Sequence, residues 1–224
     1  MCFFKRKKEI TDYKTIDSLP KKAITVNISL RQSVNICIID DDRHSIDGYD
    51  KLGFTNVDAH GEARDLKDYS KYQIILCDIQ GVANELSSSE EGLAFAKQLK
   101  KIYPCTEIYL FTGQNVQNFG DPGDISVIKK PKTKAELAEI FDKSIKNLMD
   151  PVYVWRKIYR FLTENYISAK DLVIVEENFV QSYMNGTPLS LSNIESKDSR
   201  ELLTNIAIFV GTLSAAFTKE LCSQ

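Results

Sequence analysis

The chain has 224 residues, a net charge of −2 and 27% charged residues. That composition is ordinary for a globular protein and excludes general nucleic-acid affinity for the chain as a whole. Five cysteines, an odd number without metal-ligand spacing, argue against a disulfide framework or a zinc site and for a reducing cytoplasm. Charge is uneven: residues 1–33 carry eight Lys/Arg against three Asp/Glu, whereas 34–149 carry fourteen against nineteen.

Residues 1–33 read as a basic arm. Its opening, Met1-Cys2-Phe3-Phe4-Lys5-Arg6-Lys7-Lys8, has its charges after too short an apolar piece for a signal peptide. Lys5 to Lys8 read as a solvated tail, with an anionic surface as the functional alternative. The alternation over 24–30 predicts one extra strand. From Val34 the pattern is strand then helix, repeated: strands over 34–39, 56–60, 73–78, 106–111 and 125–128, and helices over 43–52, 61–69, 89–103 and 134–148. Asp42 is expected to cap the first helix. Thr133, with Glu136 three residues on, is expected to cap the last. Cys37 and Cys77 sit inside apolar strands as small hydrophobes. Five strands alternating with helices predict a doubly wound α/β fold with a parallel sheet over 34–149.

Asp150-Pro151 marks a boundary. Three helices are expected beyond it: 151–166, one starting at Ser168 and ending at Gly186, and one from near Asp198 to about Leu221. This all-helical region, 150–224, is too small to be comfortable alone and is expected to pack on the sheet or to self-associate. The apolar stretch 206–217 is too short to cross a bilayer.

The strand ends carry the chemistry. Asp40-Asp41 follows the first strand, Asp78 ends the third, Thr112-Gly113 follows the fourth and Lys130-Pro131 the fifth. Parallel sheets of this type place their sites at the carboxyl ends of strands. Carboxylates about 4 Å apart repel by roughly 4 kcal/mol at an effective dielectric near 20, which a cation relieves. Hard oxygen donors without His or thiolate favour Mg2+. Carboxylate nucleophile, metal, lysine, hydroxyl and backbone amide together suit a phosphoryl group.

In that order and strand context, these residues resemble the receiver domain of two-component response regulators over about 34–149. The resemblance implies a flavodoxin-like fold, cytoplasmic signal transduction and a phosphoprotein that takes its phosphoryl group from a histidine kinase or phosphotransfer protein. Asp78 would be the phosphoacceptor, with Mg2+ held by Asp41, Asp78 and the Gln80 backbone carbonyl, and Asp40 assisting. Thr112, Lys130 and the Gly113 N–H would hold the phosphoryl oxygens. Receivers commonly carry Pro four residues and Gly eight residues after the phosphoacceptor; here those positions are Val82 and Leu86, and Gly92 comes later, so the loop is expanded. Val127 replaces the aromatic switch residue, and Lys132 stands where Phe is common.

Two other readings come from the same residues. Asp78 and Lys130 could form a buried ion pair in a degenerate receiver that only binds protein. Asp40-Asp41-Asp42 and Phe111-Thr112-Gly113 also resemble motifs of haloacid-dehalogenase-like phosphatases, although His44 stands where Thr is expected. Residues 150–224 show no helix-turn-helix, zinc or basic recognition helix and no output-enzyme motif. The expected output is therefore protein contact, a homodimer included, or a phosphate sink that only phosphorylates and dephosphorylates itself.

Overall fold

The apolar runs become the strands of one parallel sheet. The computed structural model describes residues 14–20, 24–41, 47–82, 91–113, 120–194 and 196–222. Strand β1 is Ile36–Ile39, β2 Val57–His60, β3 Ile74–Asp78, β4 Glu107–Thr112 and β5 Ser126–Lys129. Their order is β2-β1-β3-β4-β5, with every neighbouring pair parallel. This is the flavodoxin-like order, with its switch point between β1 and β3. All positions of β1, β3 and β4 are buried, as strands covered on both faces must be.

Alternation divides the strand residues between two hydrophobic clusters. Ile36, Ile38, Ile74, Leu76, Tyr109 and Phe111 join one; Cys37, Ile39, Ile75, Cys77, Ile108 and Leu110 join the other. Helices α1 (Ile28–Gln32) and α3 (Lys134–Leu148) contribute Leu30, Leu137, Phe141 and Ile145 to the first. Helix α2 (Glu91–Ile102) contributes Leu93, Phe95, Ala96 and Leu99 to the second. Burial pushes the Cys37 thiol up to about 12, so it behaves as a small hydrophobe and not as a nucleophile.

The helical half follows its caps. Asp150 accepts from the Val152 N–H with Pro151 in the first turn, which starts α4 (Pro151–Glu164). Ser168 accepts from the Asp171 N–H to start α5 (Ala169–Asn185), which ends at Gly186 with φ +63°. Helix α6 spans Lys197–Cys222. Ring centroids lie 5.3 Å apart for Trp155 and Phe179, 4.7 Å for Phe179 and Tyr183, and 5.4 Å for Tyr183 and Phe217, which stitches α4, α5 and α6 together. These rings belong to the same cluster as the α1/α3 side of the sheet, so the helices share a core with it. Residues Arg200–Lys219 of α6 are long and apolar enough to cross a membrane by length and composition alone, a test that a buried core helix also passes. Their stripe of Leu203, Ile206, Val210, Leu213 and Phe217 is buried in that core.

Three local expectations are corrected. The segment 24–30 is not an extra strand: Asn27 accepts from the Leu30 N–H and starts α1. Alternation over seven residues did not outweigh that cap together with the burial of Leu30. The helix expected over 61–69 is a single 3-10 turn, Leu66–Tyr69, started by Asp65. Of the one expected over 43–52, the described part is turns and a 3-10 turn, Asp50–Leu52, ended by Gly53. Asp42 as a cap lies outside the described residues, as do Lys5 to Lys8. The arm is not free beyond them. Its Ile16 N–H donates to Glu176 on α5, and Arg31 pairs with Asp142 on α3 at 2.6 Å.

A buried polar junction ties β4 to α4. Glu107 accepts from Tyr153 and forms an ion pair with Lys157, whose side chain is 14% exposed. Glu107→Ala would strand that ammonium, and breaking a buried pair from one side costs about 3–5 kcal/mol. Urea denaturation is expected to show a loss of this size, with a smaller loss for Glu107→Gln.

Candidate functional site

The site is built by strand ends. Asp78 is the last residue of β3, and Asp40 follows β1, its N–H donating to the His60 carbonyl at 2.9 Å. In the register Ile36 pairs with Ile74 and Ile38 with Leu76. Asp40 and Asp78 continue those two rows, so alternation sends both carboxylates to one sheet face. Both residues are buried, while Asp41 is exposed at the rim. One carboxylate oxygen from each of Asp40, Asp41 and Asp78 lies within 4.8 Å of the other two.

Lys130, one residue past β5, closes the set. Its Nζ donates to Asp40 Oδ1 at 3.0 Å and to Asp78 Oδ2 at 3.2 Å. Its backbone N–H donates to the Thr112 carbonyl at 2.9 Å, which ties the lysine to the end of β4. The ammonium also lies 5.6 Å from the Phe111 ring centroid. Gln80 donates its N–H to Asp78 Oδ1 at 3.3 Å. Burial raises the Asp78 carboxyl above its ordinary value; the Gln80 N–H and then Lys130 oppose the shift, and Asp40 adds to it. For an acid, a raised folded value means stability that is present while the group is protonated and is lost as pH rises through that value. In its ionised form Asp78 therefore carries a penalty that a bound cation would relieve.

Thr112 is buried as the last residue of β4, where it pairs with Lys129, while Asp78 pairs with Phe111. It stands one residue further along the rim than Asp78. Gly113 follows it, and a Cβ there would meet nothing within 4 Å.

Two glycines without an assigned role in the sequence reading shape the site. Gly81 has φ +75°, and a Cβ there would fall 2.3 Å from Asp41 Oδ2. The carboxylate of Asp41 occupies the space that a side chain at 81 would fill. Gly92, in the first turn of α2, would place a Cβ 1.9 Å from the Asp78 carbonyl oxygen, and its N–H donates to the Ile79 carbonyl at 3.0 Å. Gly92 thus lets the start of α2 rest directly against the end of β3 at Asp78. In the sequence Gly92 stands out only as a glycine that comes later after Asp78 than the receiver spacing expects, and nothing there ties it to the Asp78 backbone.

The donors fit a hard divalent ion: three carboxylates, no imidazole or thiolate among them, and a glycine making room for one of them. The five-stranded parallel sheet has the flavodoxin-like topology, and an aspartate cluster able to hold a metal ion stands at its carboxyl edge.

No family model matches the chain, and no curated protein matches it significantly. Among solved structures, a crystal structure of NtrX from Brucella abortus in complex with ATP matches with a TM-score of 0.40 and 14% identity. The match covers 70% of this chain and 36% of that one, so it spans little more than a third of the NtrX chain.

Proposed function

We propose that this chain is a receiver-type phosphoacceptor, with Asp78 taking a phosphoryl group from the phosphohistidine of a histidine kinase or phosphotransfer protein. The observation that supports this reading most is the convergence of Asp40, Asp41 and Asp78 within 4.8 Å, with Lys130 bridging two of them. An Asp78 carboxylate oxygen attacks phosphorus, the N–P bond breaks as the O–P bond forms, and the imidazole keeps the electron pair and takes up a proton. Asp41, Asp78 and the Gln80 carbonyl would hold Mg2+, with Asp40 assisting; the ion supplies charge neutralisation for the transferring group. Lys130 exchanges its bond to Asp78 for one to a phosphoryl oxygen. Thr112 and the Gly113 N–H complete the cradle. Water attack on phosphorus returns the free carboxylate.

Output through 150–224 is by protein contact or absent, the latter making the protein a phosphate sink. The shared core supports a chain that acts as one body. Val127 in place of an aromatic favours the sink. The test is intact mass of the full chain after incubation with a small phosphodonor. Wild type is expected to gain one labile phosphoryl group with Mg2+ and none with EDTA, and Asp78→Asn none in either. Labelling of Asp78→Asn at the wild-type level would move the site elsewhere.

One observation favours a second reading. Lys130 already satisfies Asp40 and Asp78 through two bonds, as a degenerate receiver needs. Absence of labelling in wild type with every donor, with unchanged partner binding in Asp78→Asn, would select it. The phosphatase reading depends on Asp42 and His44, which lie outside the described residues.

A further inference from the structure

The opposite end of the sheet carries the reverse charge. A cavity of about 680 Å3 opens where the last turns of α2, the segment before β5 and α4 meet. Its walls carry Lys97, Lys100 and Lys101 from α2 and Lys157 and Arg160 from α4. The acids among its lining residues are Asp124 and Glu164. A second cavity, of about 410 Å3, shares Lys100, Asp124, Lys157 and Arg160, adds Glu107 and continues along α4 to Arg156.

Ion pairing accounts for only part of this charge. Lys157 pairs with Glu107, and Arg160 with Asp124 and, at 3.9 Å, with Glu164. Lys97 and Lys101 have no ion-pair partner among the described residues and are exposed. Lys100 donates only to carbonyls, those of Pro104 at 2.9 Å and Thr106 at 3.3 Å. Cations near a helix C-terminus are favoured by its dipole, which explains the α2 lysines taken alone. It does not explain why α4 brings two further cations to the same space. Burial and then Lys157 push the Lys100 ammonium down to about 8, while Glu107 and Asp124 oppose the shift. Phe161, Pro104 and Pro122 add an apolar wall beside the charges. A cavity of this size, with convergent charge and some apolar lining, has the form of a small-ligand site.

We propose that this basic cavity binds a small phosphorylated ligand carrying at least two negative charges, with its phosphates against Lys97, Lys100 and Lys101 and the α4 cations. The site lies at the amino ends of β4 and β5, away from Asp78, and stands independently of phosphoryl transfer. Because α4 forms one wall, occupancy would brace the helical half against the sheet.

Isothermal titration of the full chain with pyrophosphate, in EDTA so that no metal recruits it to the carboxylates, tests this. Wild type and Asp78→Asn are expected to bind alike, and the double variant Lys97→Glu/Lys101→Glu at least about tenfold more weakly, since each reversal turns an attraction into a repulsion. Both changes are on exposed side chains, and circular dichroism should match wild type. Citrate, of similar charge, is the control. Absence of pyrophosphate binding, equal affinity in the double variant, or citrate binding as tightly as pyrophosphate would each overturn the assignment.

Discussion

Lys130→Met is expected to be markedly less stable than wild type in EDTA and to recover most of the loss on addition of Mg2+. The substitution keeps the aliphatic stem near Phe111 and removes the ammonium that bridges Asp40 and Asp78. Two buried carboxylates are then left facing each other without a counter-charge, and removing one side of a buried pair costs about 3–5 kcal/mol. For a chain of this size, roughly 1 kcal/mol corresponds to about 2–4 °C in melting temperature, so the drop is large enough to read by calorimetry. The pH dependence has a defined sign. Burial already raises the Asp78 carboxyl, and loss of Lys130 removes one of the two influences that oppose the shift. The variant therefore regains stability as pH falls through the raised value and Asp78 takes up a proton, and loses it again as pH rises. A Lys130→Met protein as stable as wild type in EDTA, or indifferent to Mg2+, would mean that the three carboxylates do not act as one charged site.

The same charge logic explains what was legible in the sequence. Asp40, Asp78 and Lys130 could be placed together because each terminates or follows an apolar run, and a parallel sheet aligns the ends of such runs. The register of β1 and β3 and the bridging lysine bear this out. The starts of α3, α4 and α5 were equally readable, and Thr133, Asp150 and Ser168 each accept a backbone N–H of the first turn. The failures are of one kind. At 24–30 the apolar residues read as a strand and at 61–69 as a helix, and the outcome depended on what they met in space. Leu30 is held by the α3 side of the core and Tyr69 by Phe95 of α2, contacts with partners more than 25 residues away. The basic cavity was illegible for the same reason. Lys97 to Lys101 look like a solvated helix end until α4 brings Lys157 and Arg160 across from them.

Gly92→Ala is expected to destabilise the fold, although the same substitution in an ordinary helix interior stabilises by about 1 kcal/mol. A Cβ at 92 would sit 1.9 Å from the Asp78 carbonyl oxygen, 2.9 Å from its carbonyl carbon and 2.9 Å from the Ile79 Cα. All three are backbone atoms at the end of a central strand, so no side chain can swing aside. Relief requires α2 to move off β3 by about an ångström, and α2 is seated by Leu93, Phe95, Ala96 and Leu99. Overpacking of this kind costs about 1–3 kcal/mol and occasionally more, and the backbone contact places this case at the upper end. The melting temperature is expected to fall by roughly 6–12 °C on that scale. Gly113→Ala is the matched control, since a Cβ there meets nothing within 4 Å, and its stability should stay near wild type. Because the contact is with Asp78 itself, residual folded Gly92→Ala should also take up phosphoryl groups more slowly than wild type. A Gly92→Ala protein as stable as wild type would show that the start of α2 does not rest on the strand end where the carboxylates meet.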